Sequence, residues 1–160
     1  MIKLKGIVAA VATVSALGSS AVFAQDVEKV IEARQSFMQL YSFNLGLVGE
    51  MAKGNTEYDP EIAASAAQNL LALAKMNNSQ MWPEGSSKAD AGLDEMTRAL
   101  PEMWSTFPKV LEKQDALTSA LENFATVAGK DLDSLRGGMK AVGDGCKGCH
   151  TDFRAKKEEG

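Results

Sequence analysis

Residues 131–153 read DLDSLRGGMKAVGDGCKGCHTDF, and within them Leu132, Leu135, Met139, Val142, Cys146, Cys149 and Phe153 recur at alternating steps of three and four. That spacing predicts one amphipathic helix, starting near Asp131, with a single apolar stripe. Two cysteines lie on the stripe, and with their neighbours they form Cys146-Lys147-Gly148-Cys149-His150. They are the only two cysteines of the 160 residues, and His150 is the only histidine. Cys-x-x-Cys-His is the attachment signature of covalent c-type haem: both thiols add to porphyrin vinyl groups and the adjacent imidazole ligates the iron. Gly143, Gly145 and Gly148 are expected to leave room on the helix for a flat macrocycle.

Two other chemistries use a Cys-x-x-Cys pair. A thioredoxin-like redox motif needs a strand feeding a helix N-terminus that lowers the thiol pKa, whereas this motif lies inside the last helical stretch. A structural zinc site needs four ligands, and here one cluster supplies three. With haem as the reading, a single histidine leaves no second imidazole for the iron. The sixth position is then methionine, a weaker ligand, or empty.

The N-terminus bears on compartment. Lys3 and Lys5 precede an apolar run from Ile7 to Leu17 and then small residues ending at Val22-Phe23-Ala24. This reads as a secretory signal peptide over residues 1–24, cleaved after Ala24, and its core is too short for a span of about 20 apolar residues. Covalent haem attachment takes place outside the bacterial cytoplasmic membrane, so export to the periplasm is the matching expectation. Loss of Lys3 and Lys5 moves the formal net charge from -4 to -6. An acidic surface argues against nucleic acid and anionic membrane as partners and fits transient docking to a basic redox protein.

Residues 25–160 suit one domain, with no linker splitting them. The apolar period is helical almost throughout, which predicts an all-α class. A first helix is expected over about 27–53, with Val27, Val30, Ile31, Arg34, Phe37, Met38, Tyr41, Leu45, Val48 and Met51 on one face. Asp59 caps a second helix, Pro60 occupies its first turn, and it runs to about Met76 with Ile62, Ala66, Leu70, Leu73 and Ala74 inward. Residues 77–93 are rich in turn formers and read as a crossover. A third helix begins near Pro101, or after the interruption at Pro108, carries Val110, Leu111, Leu117, Leu121, Phe124 and Val127, and is closed by Gly129. Four such helices pack as an antiparallel four-helix bundle with the haem attached to the C-terminal helix.

With its haem motif near the C-terminus of an all-helical chain, Pro101-Glu102-Met103-Trp104 ahead of the third helix and Arg34-Gln35-Ser36 in the first, the chain resembles the cytochrome c prime family of class II c-type cytochromes. That family is itself a standing example of the four-helix bundle. The resemblance covers essentially all of residues 25–160. It implies one covalent haem c, with Cys146 and Cys149 as thioether anchors and His150 as the proximal ligand. It sets Arg154 beside the proximal face, and Arg34, Gln35 and the Thr97–Arg98 region near the haem propionates, where a cation is electrostatically apt. It also implies homodimers joined through helices one and two, for which Leu40, Leu47 and Met51 offer an apolar outer strip.

Met38 falls where the family points a side chain at the distal face of the iron. Low-spin relatives use a methionine there as the sixth ligand; high-spin members block the site with Leu or Phe. Against ligation stands simple core filling, the commonest use of a buried methionine. Arg34 has the alternative of an exposed helix position, Arg154 that of a solvated tail, and Trp104 and Phe124 read as core. Two functions follow from one cofactor: single-electron transfer among periplasmic redox proteins, or binding of a small diatomic gas such as nitric oxide or carbon monoxide at a vacant distal site. Enzymatic, peroxidase-like chemistry is not expected, because no distal histidine is available as acid and base.

Overall fold

The computed structural model describes residues 19–157, with side chains from Val27 onward. Of the leader expected over residues 1–24, the first 18 lie outside the described residues. Four long helices make the bundle: α1 (Ser19–Lys53), α2 (Pro60–Lys75), α4 (Phe107–Val127) and α5 (Leu132–Phe153). A one-turn helix, α3 (Glu102–Ser105), and a 3-10 turn at Ser79–Met81 punctuate the crossover between α2 and α4. Among the described residues there is no strand, only an isolated antiparallel bridge between Ala99 and Arg154.

Local chemistry sets the helix ends. At the end of α1 the Asn55 amide donates to Glu50 O at 2.9 Å and the Gly54 amide to Met51 O at 3.0 Å. This is a Schellman closure, which needs the left-handed φ of +79° that Gly54 adopts. Asp59 caps α2 by accepting from the amides of Glu61 and Ile62, with Pro60 in the first turn. Asp131 caps α5 by accepting from the Ser134 amide at 2.7 Å. Pro108 sits in the first turn of α4, where its missing N–H costs nothing.

The core is built from Val48 and Met51 of α1, five residues of α2, Leu121 and Phe124 of α4, and Leu135 and Val142 of α5. The α2 contribution is Ala63, Ala66, Ala67, Leu70 and Ala74. This stripe corrects the expected one: Ile62 lies one position off it and is 45% exposed. Leu111 of α4, expected inward, is also exposed, and Met51, expected on an outer strip, is buried. The small α2 stripe lets neighbours approach closely. A Cβ on Gly129 would stand 2.9 Å from Ala64 Cβ, and one on Gly138 would stand 2.6 Å from Phe124 Cδ2.

These contacts define the antiparallel register that positions the site. Arg136 Nε of α5 donates to Ala52 O of α1 at 2.8 Å, and Gly49 faces Met139. On the other flank Gly138 faces Phe124, Gly145 faces Leu117 and Gly148 faces Lys113. Gly145 therefore serves the approach of α4, a Cβ there standing 3.1 Å from Leu117 Cδ1, which corrects the expectation that it clears space for the macrocycle; Gly148 has only ordinary contact with the end of the Lys113 side chain. Gly143 has nothing within 4 Å of its Cβ direction.

Candidate haem site

Cys146, Cys149 and His150 occupy the last two turns of α5 and are half-buried, both thiols free. Burial raises the Cys146 thiol pKa. It raises that of Cys149 too, aided by Cys146 and Asp152 and opposed by Lys113 and Arg154. Burial lowers the His150 imidazole pKa, and Arg154 and Arg98 add to that. The set is thus two protonated thiols and a neutral imidazole at neutral pH, and neutral imidazole is the form that ligates a metal. Among the described residues no three His, Cys, Asp or Glu side chains are grouped to hold a bare metal ion, so nothing completes the zinc alternative.

The opposite wall is α1. Arg34 is 4% exposed, which overturns the exposed-helix alternative. Its Nη1 donates to Ser86 Oγ at 3.1 Å and its Nη2 to Ser86 O at 2.9 Å. The guanidinium also lies 4.7 Å from the centre of the Trp82 ring and 6.0 Å from that of Trp104. Trp104 Nε1 in turn donates to Trp82 O at 3.1 Å. Desolvation lowers the Arg34 pKa to about 10, so it remains a cation at neutral pH. Ser86, Trp82 and Trp104 are neutral, and a buried cation held by neutral groups is suited to a nearby anion such as a propionate.

Gln35 Nε2 donates to Met96 O at 2.7 Å, and buried Thr97 accepts from the Ala99 amide at 3.2 Å through Oγ1. The crossover is fixed to α1 at two places, Arg34 to Ser86 and Gln35 to Met96, while the Thr97 bond lies within the crossover itself. Its far end is pinned to the end of α5, where the Leu100 amide donates to Phe153 O at 2.9 Å and the Ala155 amide to Arg98 O at 2.8 Å. It is a strap from α1 to the residues just after His150, and it is longer than the 77–93 expected because α3 does not begin until Glu102. Arg154 caps α5 in an extended conformation, exposed, within electrostatic reach of Cys149 and His150. It does more than belong to a solvated tail.

Met38 is 38% exposed, against 4% for Met51. It stands outside the buried protein core. Residues 52 and 136 are level across α1 and α5, as are 49 and 139. Both helices rise about 1.5 Å per residue, so the antiparallel register continues to bring Met38 level with His150. Tyr41, one turn from Met38, is half-buried and packs edge-on to Phe37 at 5.3 Å. Burial and the neighbouring Cys146 raise its pKa to about 12. Sequence reasoning assigned no site role to Tyr41, Trp82 or Ser86. Tyr41 sits seven residues after Arg34 on the same face and was findable; Ser86 and Trp82 lie in the crossover, where no period marks an inward position.

The donor set fits a covalent haem: two thiols and an imidazole at the required spacing on one helix end, a buried cation across from them, and a methionine in register.

Residues 29–154 match the family described as Cytochrome C'. Cytochrome c-554 of Cereibacter sphaeroides is 38% identical over 133 residues, covering 83% of this chain and 98% of the relative. Cytochrome c' of the same species is 32% identical over 146 residues, covering 91% and 96%. Among solved structures, cytochrome c' from "Rhodobacter Spheriodes" superposes with a TM-score of 0.77 at 31% identity, covering 82% of this chain and 98% of that one. A cytochrome c' with ligand-controlled dimer dissociation gives 0.73 at 26%, covering 81% and 97%. The nitric oxide complex of a variant cytochrome c prime from Alcaligenes xylosoxidans gives 0.69 at 28%, covering 82% and 97%. The match runs from the first helix through the haem motif, and the chain belongs to the cytochrome c prime family, whose members carry covalent haem c.

Proposed function

We propose that the protein is a periplasmic monohaem cytochrome that transfers single electrons, with His150 and Met38 as the two axial ligands. The observation that supports this reading is the register of α1 and α5 at Arg136–Ala52 and Gly49–Met139, which, carried on toward the motif end at the helical rise, brings Met38 level with His150. Cys146 and Cys149 anchor the cofactor to one rigid helix. His150 presents a neutral imidazole, kept so by burial and by Arg154 and Arg98. Arg34 and Gln35 hold the strap to α1, Thr97 braces it internally, and Arg34 adds a buried positive charge beside the propionates. When bound, the haem supplies the Fe(III)/Fe(II) couple, and a methionine ligand raises its potential. No step needs a protein acid or base, so the reading is of a carrier and not an enzyme.

Export with cleavage after Ala24 belongs to the same proposal, as does a homodimer through α1 and α2. Leu40, Phe43 and Leu47 of α1 and Ile62 of α2 are all exposed, Phe43 at 65%. Among the described residues no helix is long and apolar enough to cross a membrane. A potentiometric titration of the holoprotein and its Met38→Leu variant tests the ligation. Loss of the thioether is expected to lower the midpoint potential; an unchanged midpoint would remove Met38 from the iron.

The second reading is gas binding at an open distal site. It is favoured by the relative of known structure that was solved with nitric oxide. In that case Met38 is a wall residue, and a small uncharged diatomic is the ligand.

A further inference from the structure

The two tyrosines of the chain are used differently. Tyr58, beside the α1–α2 turn, donates its hydroxyl proton to Ala128 O at 2.9 Å. Among the described residues nothing accepts from the Tyr41 hydroxyl. The Tyr41 ring is half-buried and packs against the core. No polar side-chain atom among the described residues is sealed from solvent without a partner, so the hydroxyl itself stays accessible. Helical side chains lean back over the turn on the N-terminal side, and Tyr41 does so: its ring meets Phe37, four residues earlier, edge-on at 5.3 Å. The same turn carries Met38, three residues before Tyr41, a spacing at which helix side chains are neighbours. Across the bundle, Cys146 of α5 lies within electrostatic reach of the phenol. Cys146 stands one turn before His150, and Tyr41 about one turn after Met38. In antiparallel helices both steps run toward the far end, so the phenol stands between α1 and α5, one turn inside the level that Met38 shares with His150.

We propose that Tyr41 is a positioning residue for the sixth ligand, its hydroxyl donating a hydrogen bond to the thioether sulfur of Met38. This rests on the ligation reading above. A macrocycle held by Cys146, across from that hydroxyl, shields it from water, and a shielded phenol needs an acceptor. Thioether sulfur is a weak acceptor, but it belongs to the neighbouring side chain. Burial and Cys146 push the phenol pKa up to about 12, so it keeps its proton and can only donate in neutral solution. Such a bond fixes the direction of the sulfur and draws electron density from it, the usual way an outer partner tunes a metal ligand. Fe(III) depends on that density more than Fe(II) does, so the bond favours the reduced state.

The test is a double-mutant cycle on the holoprotein, read by potentiometry and by the red charge-transfer band of ferric haem with thioether ligation. Tyr41→Phe keeps the ring and its contact with Phe37 and removes only the donor. It is expected to move the Fe(III)/Fe(II) equilibrium about three- to ten-fold toward Fe(III), the size of one hydrogen bond, which lowers the midpoint by roughly 30–60 mV. The charge-transfer band should shift but persist. In the Met38→Leu background the same substitution should leave the midpoint unchanged, because the two residues act as one unit. Tyr58→Phe, which removes a hydroxyl already paired with a backbone carbonyl, should move neither readout. A midpoint lowered by Met38→Leu but untouched by Tyr41→Phe would overturn the hydrogen bond and keep the ligation. An equal shift in both backgrounds would also overturn it, since the phenol would then act on the macrocycle or on the Cys146 sulfur. If Met38→Leu alone leaves the midpoint unchanged, the ligation reading falls and the hydrogen bond falls with it.

Discussion

Arg34 and Ser86 stand 52 positions apart in the chain and are joined twice, Nη1 to Oγ at 3.1 Å and Nη2 to the carbonyl at 2.9 Å. The pair ties the crossover to α1, and Trp82 stacks on the guanidinium from the side. Arg34→Leu removes both bonds and the ring contact, and is expected to cost about 2–4 kcal/mol in urea unfolding of the holoprotein. Arg34→Lys should recover less than half of that, since an ammonium lacks the planar fork. A loss under about 0.5 kcal/mol for Arg34→Leu would show that the strap is held elsewhere.

Gly138 and Gly137 are adjacent on α5 and predict opposite outcomes. A Cβ at Gly138 meets Phe124 Cδ2 at 2.6 Å and Val127 Cγ2 at 3.2 Å, whereas nothing lies within 4 Å at Gly137. Gly138→Ala should destabilise by about 1–3 kcal/mol through overpacking. Gly137→Ala should stabilise by about 0.5–1 kcal/mol, because it removes a helix-interior glycine at no steric cost. Thermal unfolding of the two variants beside the parent checks both signs.

The strap carries its own pH dependence. The Asp90 carboxylate accepts from the Ser87 amide at 2.8 Å and from its hydroxyl at 2.7 Å, and these bonds lower its pKa from 3.8. A depressed carboxylate pKa stabilises the fold above the unfolded value and loses that contribution as pH falls through the folded one. Protection of the Ser87 amide against hydrogen exchange, compared at matched intrinsic rates, should therefore hold above about pH 4 and weaken below it. Asp90→Asn should weaken protection at neutral pH and remove the acid-dependent change. If the parent and variant lose protection alike with acid, another group controls the strap.

Self-association tests the apolar surface of α1 and α2. Sedimentation of the holoprotein is expected to show a dimer, and Phe43→Asp, at a residue 65% exposed, is expected to give a monomer with the same spectrum. A parent that stays monomeric at high concentration contradicts the assembly.

The bundle itself was legible. The stripe from Leu132 to Phe153, the Asp59-Pro60 start and the helix start near Asp131 are local signals, and each lies where expected. The inner face of α2 was misjudged because Ile62 competes with alanines, whose small side chains fill a tight interface that hydrophobicity alone does not rank. Gly145 was assigned to the macrocycle because sequence does not say which neighbour a glycine admits; the neighbour is α4. Cys146, Cys149 and His150 were findable as a motif. Arg34 was recognisable by family resemblance, but its anchors Ser86 and Trp82 depend on a crossover path that only tertiary structure reveals.

The central claim, that His150 and Met38 together bind the iron of an electron carrier, is tested most directly by the optical spectrum of the dithionite-reduced protein before and after carbon monoxide, beside that of Met38→Leu. The account predicts a low-spin spectrum indifferent to the gas, and a high-spin, gas-responsive one after substitution. A parent that is already high-spin, shifts with carbon monoxide and barely changes on substitution would contradict it and make Met38 a wall of a gas-binding pocket.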